Sequence, residues 1–238
     1  MIIDKKGRKF LVEGEEFHSN LGVVKLDESR IAKSHLGHDF KVFAPDFIDI
    51  YEKMPRAGSY MLLKDIGTII ANSGAGKDSF VVDAGSGSGA LAMALGRVVG
   101  KDGMVHTYEK NPEFAKTASK NIKTAGLVNT VSVSVRDVAS DGFTEKKEEV
   151  DIVTLDMNES WTLIDESKRI LKNGGRICIY TVYIEHAKKV HEKLVEDGFI
   201  ELKTLEMVER EMDFRKQGTR PKTSRVGHSG YISFGRKN

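Results

Sequence analysis

The sequence is poor in cysteine, with one residue, Cys178, in 238. A single thiol excludes an intramolecular disulfide and any cysteine-clustered zinc site. Its setting, Ile177-Cys178-Ile179-Tyr180, is that of a buried strand residue. Long apolar runs are missing too. No stretch approaches the roughly 18 apolar residues that a membrane-spanning helix needs, and Met1 to Lys9 lacks the apolar centre of a secretory signal. His18, His35 and His38 do not have metal-ligand spacing, so no metal is expected. There is no internal repeat or low-complexity segment. These absences point to a globular protein of the cytoplasm with no membrane role, and 39% hydrophobic with 30% charged residues agrees with that class.

Charge of one sign is also scarce. The formal net charge of +2 is too small to imply a nucleic-acid partner by itself. Its distribution is uneven, however. From Glu209 onward eight basic residues stand against three acidic ones, a net +5. Such a basic terminal segment is either a phosphate-binding surface or an ordinary solvated face.

Patterning divides the chain in two. Residues 1–50 carry short β-like runs, Phe10-Leu11-Val12, Gly22 to Leu26 and Phe40 to Phe43, separated by polar turns and closed by Pro45. They predict a small N-terminal β-domain. In residues 51–238, short helices are expected at Phe47 to Met54 (crossing the boundary) and Lys64 to Asn72. From Ser79 onward strands and helices alternate. Strands are expected at 79–83, 104–108, 131–135, 151–155, 176–180, 199–207 and 230–234. Helices are expected at 90–99, from the cap Asn111-Pro112 to about Thr124, from Trp161 to a stop at Asn173-Gly174-Gly175, and at 185–197. This alternation predicts an α/β fold with a mostly parallel seven-stranded sheet and helices on both faces. Such sheets bind ligands at the carboxyl ends of their strands, near the point where strand order reverses.

Acids stand at four of those ends: Asp83, Glu109, Asp137 and Asp156. The first opens the turn Asp83-Ala84-Gly85-Ser86-Gly87-Ser88-Gly89, whose glycines let the backbone turn tightly and approach a ligand. Dinucleotide enzymes use similar turns, so the glycines alone leave that alternative open. No Lys-Ser or Lys-Thr pair follows, which removes a nucleoside triphosphatase reading. An acid at 83 repels a pyrophosphate but suits the cationic methionine end of S-adenosyl-L-methionine, directly or through water. Glu109, twenty residues beyond Gly89, can accept both ribose hydroxyls of an adenosyl cofactor. Asp137 can accept the adenine amine while Val138 offers a backbone donor. Ala90 and Lys110, beside these elements, complete the expected cofactor-binding set.

Together these features resemble the class I, Rossmann-like S-adenosylmethionine-dependent methyltransferases over about residues 79–180. The stretch Asp156-Met157-Asn158-Glu159-Ser160-Trp161 narrows the resemblance to the tRNA (adenine-N1)-methyltransferases of the T-loop, which have an Asp followed closely by Glu-Pro-Trp. Ser160 departs where proline is usual, and Leu62-Leu63 departs where an aromatic or histidine plus proline often precedes Lys64-Asp65, a possible pocket wall. Arg220-Pro221, Val226 to Tyr231 and the early Gly22-Val23-Val24 also resemble that family. The resemblance implies methylation of N1 of adenine 58, with 57 also open, in tRNA by a homotetramer. Adenine N1 is weakly basic, and its attack on the sulfonium methyl puts positive charge on the ring. A carboxylate that accepts the N6 amine stabilises that charge and aligns N1, a catalytic role expected of Asp156. Trp161 is a candidate to flank the extruded base and His228 to face it, with Arg220 and Arg225 on tRNA phosphate. A small-molecule or tetrapyrrole methyltransferase and a non-catalytic tRNA-binding subunit remain the rival readings.

Overall fold

Short alternating runs build the first of the two units into which the chain divides, Met1–Pro55 and Arg56–Asn238. The computed structural model describes residues 1–12, 14–27, 29–58, 60–223 and 227–238. In the first unit the strands are β1 (Ile2–Asp4), β2 (Lys9–Phe10), β3 (Glu16–Ser19), β4 (Gly22–Lys25), β5 (Ile31–Lys33) and β6 (Asp39–Val42). Four of them form an antiparallel sheet in the order β2-β1-β6-β5, and β3 pairs with β4 as a hairpin. Ile2, Val24, Ala32 and Phe40 are its buried core, with Phe10 and Phe17 packed against them. Three of these strands, β1, β3 and β5, lie outside the apolar runs read from the sequence. Each is three or four residues long, and β3 and β5 expose alternate side chains, so their pattern is too brief to stand out. Helix α1 (Phe47–Lys53) completes the unit. It starts at a capping box in which Asp46 and Asp49 satisfy each other's backbone N–H groups.

The second unit opens with α2 (Leu63–Ser73) and then alternates: β7 (Phe80–Ala84), α3 (Ala90–Val99), β8 (Met104–Glu109), α4 (Pro112–Thr124), β9 (Val131–Val135), α5 (Val138–Asp141) and β10 (Val150–Leu155). It continues through α6 (Ile164–Ile170), β11 (Leu171–Thr181), α7 (Ile184–Glu196), β12 (Ile200–Glu206), the hairpin β13 (Met212–Arg215) and β14 (Gly218–Pro221), and β15 (Tyr231–Arg236). Seven strands form one sheet in the order β12-β15-β11-β10-β7-β8-β9. The pairings from β11 through β9 are parallel, and β15 runs antiparallel to both of its neighbours. The fold is thus the α/β, mostly parallel seven-stranded architecture that the alternation predicts. From β7 the chain steps outward to β8 and β9, then returns to β10 on β7's other side. That reversal opens a crevice at the carboxyl ends of β7 and β10.

Two segments differ from the sequence reading. The stop expected at Asn173-Gly174-Gly175 is a bulge inside β11. Leu171 pairs with Val150 and Arg176 with Ile152, so the intervening residues loop out of register. Gly175 permits this because a Cβ there would meet the Lys172 and Asp151 carbonyl oxygens at 2.9 and 3.0 Å. The hairpin β13–β14 lies outside the expected elements: Met212 and Phe214 alternate with Asp213 and Arg215, but the strand is only four residues long and carries no buried face. Among the described residues no helix is long and apolar enough to cross a membrane.

Candidate active site

The glycine turn joins β7 to α3 and presses directly on the end of β10. A Cβ on Gly85, whose φ is 94°, would sit 2.0 Å from the Asp156 carbonyl oxygen. Only glycine fits there. The Asp156 N–H donates to the Ala84 carbonyl at 2.8 Å, so the two strand ends are tied together at the reversal point. Gly89 caps α3 in the left-handed region.

The turn's polar side chains fasten it to its neighbours. Ser86 shares a 2.6 Å hydrogen bond with Thr107 on β8. The Ser88 hydroxyl accepts from the Ala57 N–H at 2.7 Å and donates to the Ala57 carbonyl at 3.2 Å, drawing the segment before α2 across the turn. Glu109, at the end of β8, is mostly buried, and its two oxygens accept from the N–H groups of Gly87 and Asn111, each at 3.0 Å.

Asp83 occupies a different place from the one its motif suggests. It is 1% exposed, and its two oxygens accept from the Thr107 and Thr154 hydroxyls, each at 2.6 Å. The carboxylate therefore locks β8 and β10 onto β7 from beneath the turn and is not part of the cleft lining. Burial raises its pKa above the ordinary carboxylate range; the two hydroxyls oppose this and the charge of Glu109 adds to it.

The cleft above the turn is lined by Gly85, Gly87, Glu109, Lys110, Asp137, Val138 and Asp156. Of the expected set, Ser86, Ser88, Gly89 and Ala90 build the turn beneath it. Asp137 also caps α5, accepting from the Ala139 N–H at 3.1 Å. The wall residues outside the expected set are Ala57 and Gly58 from the segment before α2, Tyr108 of β8, Phe114 from the first turn of α4, and Arg136, Met157 and Asn158 beside expected residues. Phe114 follows the helix start at Asn111-Pro112, and nothing in its local sequence marks it as a wall residue. This donor set suits an adenosyl group. Glu109 has lone pairs to spare for ribose hydroxyls, Phe114 and Val138 give apolar surface for a purine, and Asp137 can accept its amine.

Asp156 is the chemically distinctive wall residue. Burial, then the like charges of Asp83, Asp65 and Glu109, push its pKa from 3.8 to about 7. It is thus poised to change ionisation near neutrality. The loop after it is closed by Ser160, which is fully buried and donates its hydroxyl to the Met157 carbonyl. A side-chain hydrogen bond here does the work of restraint at the position where the resemblance leads one to expect proline. Trp161, on the following 3-10 turn, is partly buried against the core, with its ring 5.0 Å from that of His186.

The remaining candidates lie apart from the cleft lining. His228 has Nδ1 2.7 Å from Glu206 and Nε2 2.8 Å from the Val182 carbonyl. The Val182 carbonyl and the Glu206 carboxylate, each facing one ring nitrogen, raise its pKa above the ordinary histidine value. It tethers the chain before β15 to the end of β11. Arg220 is exposed on β14, and Arg225 lies outside the described residues. Half of the basic tail is committed locally: Arg215 to Asp213, Lys222 to Glu211, Arg236 to Glu201 and Lys237 to Glu148. Lys64 and Asp65 form a buried ion pair at 2.8 Å, and both bond to Ser229.

The chain matches the family described as tRNA methyltransferase complex GCD14 subunit over residues 53–222. It is 37% identical, over 99% of its length and 94% of the relative's, to the Methanocaldococcus jannaschii protein named tRNA (adenine(57)-N(1)/adenine(58)-N(1))-methyltransferase TrmI. Among solved structures it is similar to a SAM-dependent O-methyltransferase of Thermotoga maritima, with TM-score 0.85, 31% identity and coverage of 99% and 91% of the two chains. It is also similar to the tRNA (m1A58) methyltransferase TrmI of Aquifex aeolicus, with TM-score 0.76, 26% identity and coverage of 94% and 89%.

Two predictions follow from the geometry. Glu109→Ala removes the carboxylate that the cleft offers to ribose hydroxyls and should weaken S-adenosylmethionine binding by about ten-fold or more by calorimetry, the scale of a hydrogen bond to a charged group; unchanged affinity would remove Glu109 from the site. The second concerns stability. An acid whose folded pKa is raised binds more protons folded than unfolded, so stability falls as pH rises from about 4 through 7. Asp156→Asn removes that loss, and its melting temperature should exceed the wild-type value at pH 8 but not at pH 4.

Proposed function

This chain belongs to the GCD14 tRNA methyltransferase family, and from that membership we propose that it methylates N1 of adenine in the T-loop of tRNA, at position 58 with 57 left open as a second site, using S-adenosyl-L-methionine. The observation that carries the reading is Asp156, a carboxyl with a pKa of about 7 in the wall of the cleft at the strand-order reversal. S-adenosylmethionine supplies an electrophilic methyl on a sulfonium. When N1 donates its lone pair to that carbon, the carbon–sulfur bond breaks, its electrons return to sulfur, and the positive charge passes to the adenine ring. Asp156 in its ionised form accepts the N6 amine, steadies that charge and fixes N1 in line with the methyl. Glu109 orients the ribose of the cofactor and Asp137 with Val138 its adenine, while the clamp of Ser88 on Ala57 keeps the cleft wall in place.

The target adenine is stacked inside the folded tRNA elbow, so it must be extruded before it can reach the cleft, at a cost of roughly a few kcal/mol. A homotetramer would spread that cost over several subunits' grip on one tRNA, and the cytoplasm is where such a substrate is met. Arg220 and Arg225 are assigned to phosphate, and Trp161 to the neighbourhood of the base. The domain division that goes with this reading is a β-domain over residues 1–50 and a catalytic domain over 51–238.

The test is methyl transfer from labelled S-adenosylmethionine to an unmodified tRNA transcript, followed by nucleoside analysis. The label should appear as 1-methyladenosine at 58 or 57. Label on a ribose oxygen would favour the chemistry named for the Thermotoga maritima protein. No transfer to tRNA, with cofactor bound, would overturn the reading. Asp156→Ala should bind cofactor with near-normal affinity and lose turnover by about a hundred-fold or more, the scale on which a positioned polar group contributes. Wild-type turnover should fall as pH drops through 7, because protonated Asp156 no longer accepts fully.

A further inference from the structure

Three consecutive apolar residues lie exposed where β11 hands over to α7: Val182, Tyr183 and Ile184, at 49%, 61% and 48%. Exposed apolar surface of this kind marks a contact site more often than chance. The Tyr183 ring is not left to wander. Its backbone caps α7, its carbonyl accepting from the N–H groups of His186 and Ala187, each at 3.1 Å. The preceding carbonyl, of Val182, is held by the His228 ring.

The rings form a row. Tyr183 meets His186 edge to face with centroids 5.2 Å apart, and His186 meets Trp161 at 5.0 Å and 62°. The Lys189 ammonium stands 4.7 Å from the Trp161 ring centre, at the far end. Trp161 is anchored in the core, whereas the Tyr183 face is open. An open aromatic face with a cation farther along the same row is equipment by which proteins hold unpaired nucleotides, the base on the exposed ring and a neighbouring phosphate toward the ammonium.

Position selects the occupant. Leu155 of β10 pairs with Ile179 of β11, so Asp156 and the Val182–Ile184 segment leave adjacent strands at the same edge of the sheet. An adenine delivered to Asp156 brings its chain neighbours to that edge, unstacked by the extrusion itself. We infer that the row Tyr183–His186–Trp161, ended by Lys189, is a stacking site for an unpaired nucleotide adjacent to the extruded adenine. This inference rests on the tRNA reading above.

Trp161 is the chain's single tryptophan, so its fluorescence reports on the row alone. Wild type, Tyr183→Ala and Tyr183→Phe are titrated with unmodified tRNA transcript while Trp161 emission is read, and their methylation kinetics are measured on the same transcript. Binding of tRNA should change the emission. Tyr183→Ala should raise the KM for tRNA roughly 5- to 100-fold, the range carried by one base–aromatic stack, with kcat and cofactor affinity near wild type. Tyr183→Phe keeps the ring and should stay within about two-fold of wild type by the same reasoning. An unchanged KM in Tyr183→Ala overturns the inference, and if that variant also breaks up an oligomer in light scattering, the row is a subunit contact instead. Loss of the stacking effect with 1-methyladenosine still formed by wild type leaves the proposed function standing. Conversely, tRNA-dependent emission that Tyr183→Ala abolishes, with no 1-methyladenosine from wild type, keeps the stacking site and removes the function.

Discussion

The contact on which the site depends is the close approach of the glycine turn to the end of β10. Gly85 leaves no room for a side chain against the Asp156 carbonyl, and Ala84 accepts from the Asp156 N–H. This fixes where the Asp156 carboxyl leaves its strand relative to the turn that shapes the cleft. A displacement of an ångström there would separate the two halves of the reaction, and positioning errors of that size are costly in catalysis.

The same closeness concentrates charge. Asp83 beneath the turn, Glu109 beside it and Asp156 above it all stand at ends of adjacent strands, with Asp65 near enough to add to the field. The fold tolerates this because each carboxylate but the last is engaged: Asp83 by two threonine hydroxyls, Glu109 by two backbone N–H groups, Asp65 by Lys64 and Ser229. Asp156 bears the resulting repulsion as a raised pKa. Strain of this kind at a functional position is what a fold surrenders in stability for chemistry.

Much of this was legible in the sequence because its signals are local. The glycine turn, the cap Asn111-Pro112 and the acids just past apolar strands each lie within a few residues, and the mostly parallel sheet follows from the alternation of strands and helices. What the sequence hid depends on distant partners. Asp83 sits in its expected motif, yet Thr107 and Thr154, on two other strands, turn it downward into a strand lock. Both ring nitrogens of His228 are taken up by Glu206 and Val182, residues that nothing in the Gly227-His228-Ser229 sequence points to. The bulge at Gly174-Gly175 has no periodic apolar face to betray it, and the Met212/Phe214 alternation of β13 spans only four residues. Ser160 was readable only as a departure until its hydroxyl was seen to close the turn.

The site turns on Asp156, whose pKa the fold pushes up to about 7. The most direct measurement is a carbon-13 NMR titration of the side-chain carboxyls in the wild-type protein and in Asp156→Asn. The account predicts one carboxyl resonance titrating near pH 7 that is missing from the variant. If every wild-type carboxyl instead titrates below about pH 5, the range of ordinary Asp and Glu side chains, Asp156 is an unremarkable acid and the electrostatic basis of the site is wrong.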